Sequence, residues 1–454
     1  MTGILLDISS QLFHRSEFSA TALERATDAV IDTLGCMIAG ADDAGVAAVT
    51  TAFQSQSAGG GSLLVTGGKT SVSIAAMVNG TAAHALDFDD NFHPARAHAS
   101  AVLVPALMAV TSADSPISGR EFLNAYLIGL EAQAAVGYGV NPSHYNRGWH
   151  GTSTVGAIGA AAGVVRLLGG GNEEMAQAMS LAISMASGPK GQFGTLAKPI
   201  HAGIAARNAV EAAMLAMSGA AGRLDILERP QGFLDLFGGE EARGWADWRL
   251  DETCIIESRG LVTKLHPCCA STHRAIDALL DLVHENALKP EDIVAIDTKV
   301  GVSAVKNLAY LSPANAMQAR FSMQYCLAVA LEKGSLSLAD FTDAALDNPE
   351  REALMQRIGM HAYTAAEERG HERLAHTVTL TLRNGEVLQK ERLHANGALE
   401  MPLNSQQKRI KFANCLAWGR MTFDQTHFDR LADLGRQQSV YALFNWFLST
   451  TAFD

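Results

Sequence analysis

The apolar residues of this chain change their period twice. Up to about residue 264 they recur at helical spacing; beyond it alternating stretches at Ile296–Val302 and Val378–Val387 are interleaved with helical ones such as Ala275–Val283 and Gln324–Leu331; and from about Ser405 the helical spacing returns alone. A strand pattern enclosed by two helical stretches predicts a mainly α protein. It consists of a large all-helical domain with a smaller α+β lid domain inserted into it. The boundaries fall at 1–264 plus 401–454 for the helical domain and 265–400 for the lid.

Local signals agree with this division. Thr21-Ala-Leu-Glu24 and Ser118-Gly-Arg-Glu121 read as capping boxes, in which hydroxyl and carboxylate each satisfy an orphan backbone N–H. Leu23, Val30, Leu34 and Ile38 share a helical face that Gly40 can end. Gly156, Gly159 and Gly163 stand among alanines and allow helices to approach closely. In the lid, Ile296, Thr298, Val300 and Val302 read as one strand. Val378, Leu380 and Leu382 read as another, turning at Asn384-Gly385 with both turn residues at φ > 0.

Apolar residues make up 48% and charged residues 18%, below the usual ~25%. That excludes a disordered chain and leaves a surface suited to self-association. A formal charge of −12 argues against a nucleic-acid partner. Such a body can still hold anions where its few cations converge. Six cysteines, four of them widely scattered and none in a CxxC pair, fit a reduced, cytoplasmic protein. No apolar run reaches the ~18 residues of a membrane helix. Gly67-Gly68-Lys69-Thr70 imitates the end of a P-loop, but Leu63 stands where its first glycine belongs.

Four segments carry chemistry. His84 to His98 packs Asp87, Asp89, Asp90, Asn91, His93 and His98 between apolar stretches; carboxylates there can orient imidazoles and tune them. The spacing is not that of a metal motif. Gly148-Trp-His150-Gly-Thr-Ser-Thr154 offers a second histidine, either packed or acting as acid or base. Gly194-Thr-Leu-Ala-Lys198-Pro-Ile-His201, with Arg207 beyond it, offers cations; Lys198 precedes a proline and reads as extended or turning. Lys264-Leu-His-Pro-Cys-Cys269 lies at the domain junction, where sites are favoured. Its two cysteines are a thiol acid/base or two small buried hydrophobes.

These segments, in this order, resemble the MmgE/PrpD family. The likeness runs through IDTLG near 31–35, NGTAAHALDFDD at 79–90, GWHGTST, KPIHAGIAARN, PQGFLDLF, KLHPCC and ARFSMQY at 319–325. The family includes 2-methylcitrate dehydratase, cis-aconitate decarboxylase and iminodisuccinate epimerase. The resemblance implies a helical domain with an α+β lid and a homodimer. It also implies no metal or other cofactor, and an active site between the domains for a small polycarboxylate. Carried over, Asp87, Asn91, His98, His150, Lys198 and Lys264 line the site. Cys269 occupies a position that varies between activities, and Tyr325 joins from ARFSMQY. The sequence departs from the family at His98-Ala99-Ser100, where His-Pro-Ser is usual, and at Gly151, where Pro is common. QFGTLAKPIHAGIAARN and Cys269 look most like the epimerase.

The family's reactions break a bond next to a carboxylate, so negative charge must be stabilised where it develops. Lys198, Lys264 and Arg207 are the cations for that task and for holding the substrate. His98 and His150 are base and acid, with Asp87 orienting one ring and Cys269 returning a proton in an epimerase. Three readings follow: a lyase of the 2-methylcitrate dehydratase type, an epimerase of an iminodisuccinate-like substrate, and a non-catalytic family member.

Overall fold

The structure is a computed structural model, and it describes residues 3–56, 59–369, 371 and 374–450. Its core falls into two main apolar clusters. One runs from Leu5 to Ile256 and resumes from Phe412 to Phe447. The other lies wholly between Cys268 and Leu382. The chain is mainly α-helical, with the strands gathered in the second cluster apart from a short hairpin, Ser62–Leu63 with Lys69–Thr70, at the P-loop imitation.

The helical body is built on α1 (Ala20–Ala39), α2 (Val72–His84), α3 (Ser100–Ala109), α4 (Gly119–Val140), α5 (Val155–Leu167), α6 (Asn172–Met185) and α7 (Ala197–Met217). Glycine brings α4 and α5 together. A Cβ on Gly159 would lie 2.5 Å from the Gln133 nitrogen, and one on Gly163 would lie 2.9 Å from the Ala125 carbonyl. The Ser118–Glu121 capping box opens α4. The box expected at Thr21 is absent: Ser19 caps α1 by accepting the Ala22 N–H at 3.0 Å, which places the helix start two residues earlier.

The lid holds a four-stranded sheet in the order β2-β1-β3-β4: β1 (Ile293–Val300), β2 (Ile358–Ala362), β3 (His376–Leu382) and β4 (Val387–Arg392). β1 and β2 are parallel and the other pairs antiparallel. Helices α8 (Ala270–Glu285) and α9 (Met323–Lys333) pack together, and α8 lies on β3 and β4. The polar β4 carries Lys390, Glu391 and Arg392 along the sheet edge, which discourages pairing with another chain. Gly301 separates β1 from Val302, which starts a short helix instead of extending the strand. The hairpin loop has three residues, not two: Leu382 N donates to Glu386 O at 2.8 Å, and only Gly385 has positive φ, 88°. From Ser405 the chain returns to the body as α10 (Ser405–Trp418), packed on α1.

Candidate active site

The site lies in the seam between the two clusters. α2 ends at His84, and the chain turns through Asp87 with φ 53°. Aspartate tolerates this left-handed conformation better than most residues. His98 comes just before α3, and His150 lies in the loop before α5. Lys198 and His201, three residues apart, share a face in the first turn of α7. Lys198 is thus helical, although it precedes proline. Pro199 is the third helical residue, where a backbone N–H has no intrahelical acceptor to lose. Lys264 and Cys269 lead into α8, Cys269 as its N-cap.

Asp87 is the hub. Its Oδ1 accepts from Lys264 Nζ at 2.7 Å and from Lys198 Nζ at 2.9 Å. Lys264 also donates to the Asp87 carbonyl at 2.6 Å. Burial alone would raise the Asp87 pKa, but the two ammonium groups outweigh it and hold the carboxyl well below its usual range. Burial pulls Lys264 down, but Asp87 and Asp89 outweigh that and keep it charged above its ordinary value. The Lys264 side chain is 0% exposed.

Three imidazoles surround this hub. The His84 and His98 ring centroids are 4.3 Å apart, and His150 lies 5.6 Å from His84 and 6.5 Å from His98. The carboxylate that orients rings is Asp89. His84 Nδ1 donates to it at 2.9 Å, and His98 Nδ1 stands 3.1 Å away. Asp87, expected in that role, is 3.7 Å from His98 Nε2 and is committed to the lysines. Burial pushes His84 down to about 3, so its Nε2 is an acceptor for Lys198 Nζ at 2.9 Å. Burial also lowers His98 and, with His84 and Lys198 nearby, holds His150 well below its ordinary value. All three rings are therefore neutral near pH 7. His150 Nδ1 meets His201 Nδ1 at 3.3 Å, and its buried Nε2 has no hydrogen-bond partner among the described residues. His98, 12% exposed, is the most accessible ring of the three. Phe193 meets the His150 ring edge-on at 5.0 Å, and Phe321 packs beside Phe193.

The remaining expected residues fall into two groups. Cys269 is buried within the electrostatic reach of Asp87 and Lys264. Burial and Asp87 raise its thiol, and Lys264 only partly offsets them, so it stays protonated and suits proton donation better than abstraction. Asn91 pairs by its backbone with Val262, and its Nδ2 is buried without a hydrogen-bond partner among the described residues. Arg207 and Tyr325 lie elsewhere. Arg207 is nine residues past Lys198, about 180° round the helix and roughly 13 Å along it, and faces Glu211 at 3.8 Å. Tyr325 is held inside the lid: its hydroxyl donates to the Asp340 carbonyl at 2.5 Å and accepts from Arg351 at 3.1 Å.

His84 and Asp89 stand in the HALDFDD string, and Asp89 belongs to the acidic cluster named there, but neither is among the residues carried over from the family. Only the folded turn at Asp87 shows that they share the hub. His84, Asp87, Asp89 and His98 each offer one ligand atom, all within 4.8 Å of one another. Lys198 and Lys264 already donate to two of those four residues, which presets the cluster for an anion rather than a cation.

This fold and hub define an acid–base enzyme of the kind that acts on small carboxylates. The MmgE/PrpD N-terminal domain matches residues 13–245 and the MmgE/PrpD C-terminal domain matches residues 266–431, so the chain belongs to the MmgE/PrpD family. Human cis-aconitate decarboxylase is 29% identical over 364 residues, covering 76% of this chain and 73% of its own. The Mus musculus enzyme is 28% identical, covering 74% and 70%. The Aspergillus terreus enzyme is 25% identical, covering 77% of each chain. No single described helix is long and apolar enough to cross a membrane.

Proposed function

We propose that this chain is a lyase acting on a small tricarboxylate, with cis-aconitate and 2-methylcitrate as the first substrates to test. The observation that carries the reading is the Asp87 carboxylate gripped by two buried lysines and ringed by three neutral imidazoles. An ammonium has three donors. Lys264 spends its donors on the Asp87 carbonyl and carboxylate, and Lys198 spends two on Asp87 and His84, which leaves each with one for a substrate carboxylate. When a proton or carbon dioxide leaves the adjacent carbon, the electron pair delocalises toward that carboxylate. The lysines stabilise the charge in a site that water does not screen.

His98, turned by Asp89, presents Nε2 as the base. His150 Nε2 and the Cys269 thiol are the groups placed to polarise the leaving group or deliver a proton. Dehydration uses base and acid together; decarboxylation needs only the proton delivery. The three decarboxylases above support the lyase class. The epimerase remains a second reading because Cys269 is a buried proton donor beside the hub. The same reading takes the chain as a homodimer of the cytoplasm that needs no metal or other cofactor. All six cysteines are free, which suits a reducing compartment.

Proton NMR in deuterated buffer tests the reading with cis-aconitate, 2-methylcitrate, citrate and iminodisuccinate. New olefinic signals or loss of carbon dioxide support a lyase and select its substrate. Deuterium uptake at the α-carbon with an intact skeleton makes the chain an epimerase. Absence of turnover and of saturable binding across the panel refutes both.

A further inference from the structure

A third cation lies in the same seam. Arg320 is 4% exposed and precedes Ser322, the N-cap of α9, by two residues. Backbone and neighbour fix it beside the hub. Its carbonyl accepts the Cys269 N–H at 2.9 Å. The ring of the next residue, Phe321, lies 5.3 Å from Lys198 Nζ. Asp87 and Asp43 both act on its guanidinium, but neither offsets the effect of burial.

The guanidinium is under-used. It has five N–H donors. Among the described residues it makes a single side-chain hydrogen bond, a 3.4 Å contact from Nη2 to the Phe341 carbonyl, and its Nε is buried with no partner. It forms no ion pair among them either. Asp43, the other carboxylate that acts on it, accepts the Gly45 N–H at 2.8 Å. A buried charge left without a counter-charge is strongly unfavourable. A planar fork matches a carboxylate through two parallel bonds, which a lysine cannot do.

We propose that Arg320 is a substrate-binding residue that selects tricarboxylates, its Nε and Nη taking the carboxylate farthest from the one held by Lys198 and Lys264. This rests on the polycarboxylate reading above and adds to it the feature that separates a tricarboxylate from a dicarboxylate. Aconitate-like and citrate-like acids then bind through three cations, whereas a two-carboxylate ligand leaves Arg320 unanswered.

The test uses two unreactive probes. Tricarballylate carries three carboxylates, and methylsuccinate is the same skeleton with one terminal carboxylate removed. Calorimetric titration of the full chain should show tighter binding of tricarballylate. In Arg320→Gln that advantage should fall about tenfold or more, while methylsuccinate affinity changes less than about twofold. The unchanged methylsuccinate affinity also shows that the site is intact. Arg320→Lys, which keeps the charge and loses the fork, gives the same pattern should the glutamine variant not fold. Asp43→Asn should leave both affinities as they are. Tricarballylate binding as tightly to both Arg320 variants as to the wild type overturns the proposal and leaves the polycarboxylate reading standing. Loss of tricarballylate binding in Asp43→Asn makes Arg320 a strut between body and lid and also overturns it. A wild type that binds neither probe overturns both.

Discussion

Replacing Asp90 with asparagine should remove a defined part of the pH dependence of stability. Asp90 is 2% exposed, one residue from Asp89. Ser100 donates to it twice, from Oγ to Oδ2 and from N to Oδ1 at 3.3 Å, and Ser100 Oγ lies 2.7 Å from the Tyr126 hydroxyl. Burial outweighs these bonds and, helped by Asp89 and Asp32, pushes the carboxyl from 3.8 up to about 7. The folded chain therefore keeps this proton to a higher pH than the unfolded chain. Stability falls as pH rises from 3.8 toward 7 and then levels off. Between pH 5.5 and 8.5 the two titrations differ by about 2 kcal/mol. Asparagine keeps the shape, accepts the Ser100 N–H and has no proton to lose. Urea unfolding of both proteins at the two pH values measures the effect. Asp90→Asn should gain about 2 kcal/mol on the wild type between them, because every other titration is common to both. An offset equal at both pH values, within about 0.5 kcal/mol, would refute the idea of a buried, protonated Asp90.

Other changes have equally direct outcomes. His150→Gln should lower turnover by roughly 10²–10⁴ with the circular dichroism spectrum unchanged; near-wild-type turnover removes His150 from the chemistry. Gly159→Ala puts a Cβ 2.5 Å from the Gln133 nitrogen and 2.8 Å from its Cα. The overpacking, about 1–3 kcal/mol or more, should exceed the helix-propensity gain of about 1 kcal/mol and lower the urea midpoint. Lys411→Met strips Asp32 of a partner at 2.7 Å and should cost about 3–5 kcal/mol; Lys411→Met with Asp32→Asn should recover part of that loss.

The division into helical body and lid was legible because side-chain period is a local property, and 3.6 and 2 are easily told apart. β2 was not legible. Ile358, Met360 and Ala362 alternate with Gly359 and His361, but five residues with a glycine among them are too short a signal to mark a strand, and it forms because β1 pairs with it across 62 positions, Ile296 to Ile358. The hairpin loop was legible as a turn but not in its length, which depends on whether Leu382 pairs with Glu386.

At the candidate site, the fold gathers Asp87, His98, His150, Lys198 and Lys264, which residue type and motif also single out. Residue type and motif do not reveal their division of labour. Asp89 orients rings and Asp87 binds lysines because the chain turns left-handed at Asp87, which no spacing reveals. Arg207 looked close to Lys198 along the sequence, yet nine helical positions put it on the opposite face. Arg320 stands in plain view within ARFSMQY, but only the fold shows that its guanidinium is buried with no ion pair among the described residues.

The return of the chain to the body also sets an order in time. Lys411, on α10, is paired with Asp32, donates to the Phe88 carbonyl at 2.8 Å and lies 4.2 Å from the Phe88 ring. Phe88 is the residue between Asp87 and Asp89, so a brace for the hub arrives 323 residues after it. At roughly 5–20 residues per second of synthesis, the HALDFDD turn waits on the order of 15–65 s on the ribosome before that brace exists. During that interval the nascent chain carries three aspartates, at 87, 89 and 90, on a turn whose lysine partners emerge one by one: 198, then 264, then 411. The turn at Asp87 therefore gains its full set of lysine contacts only once Lys411 has emerged.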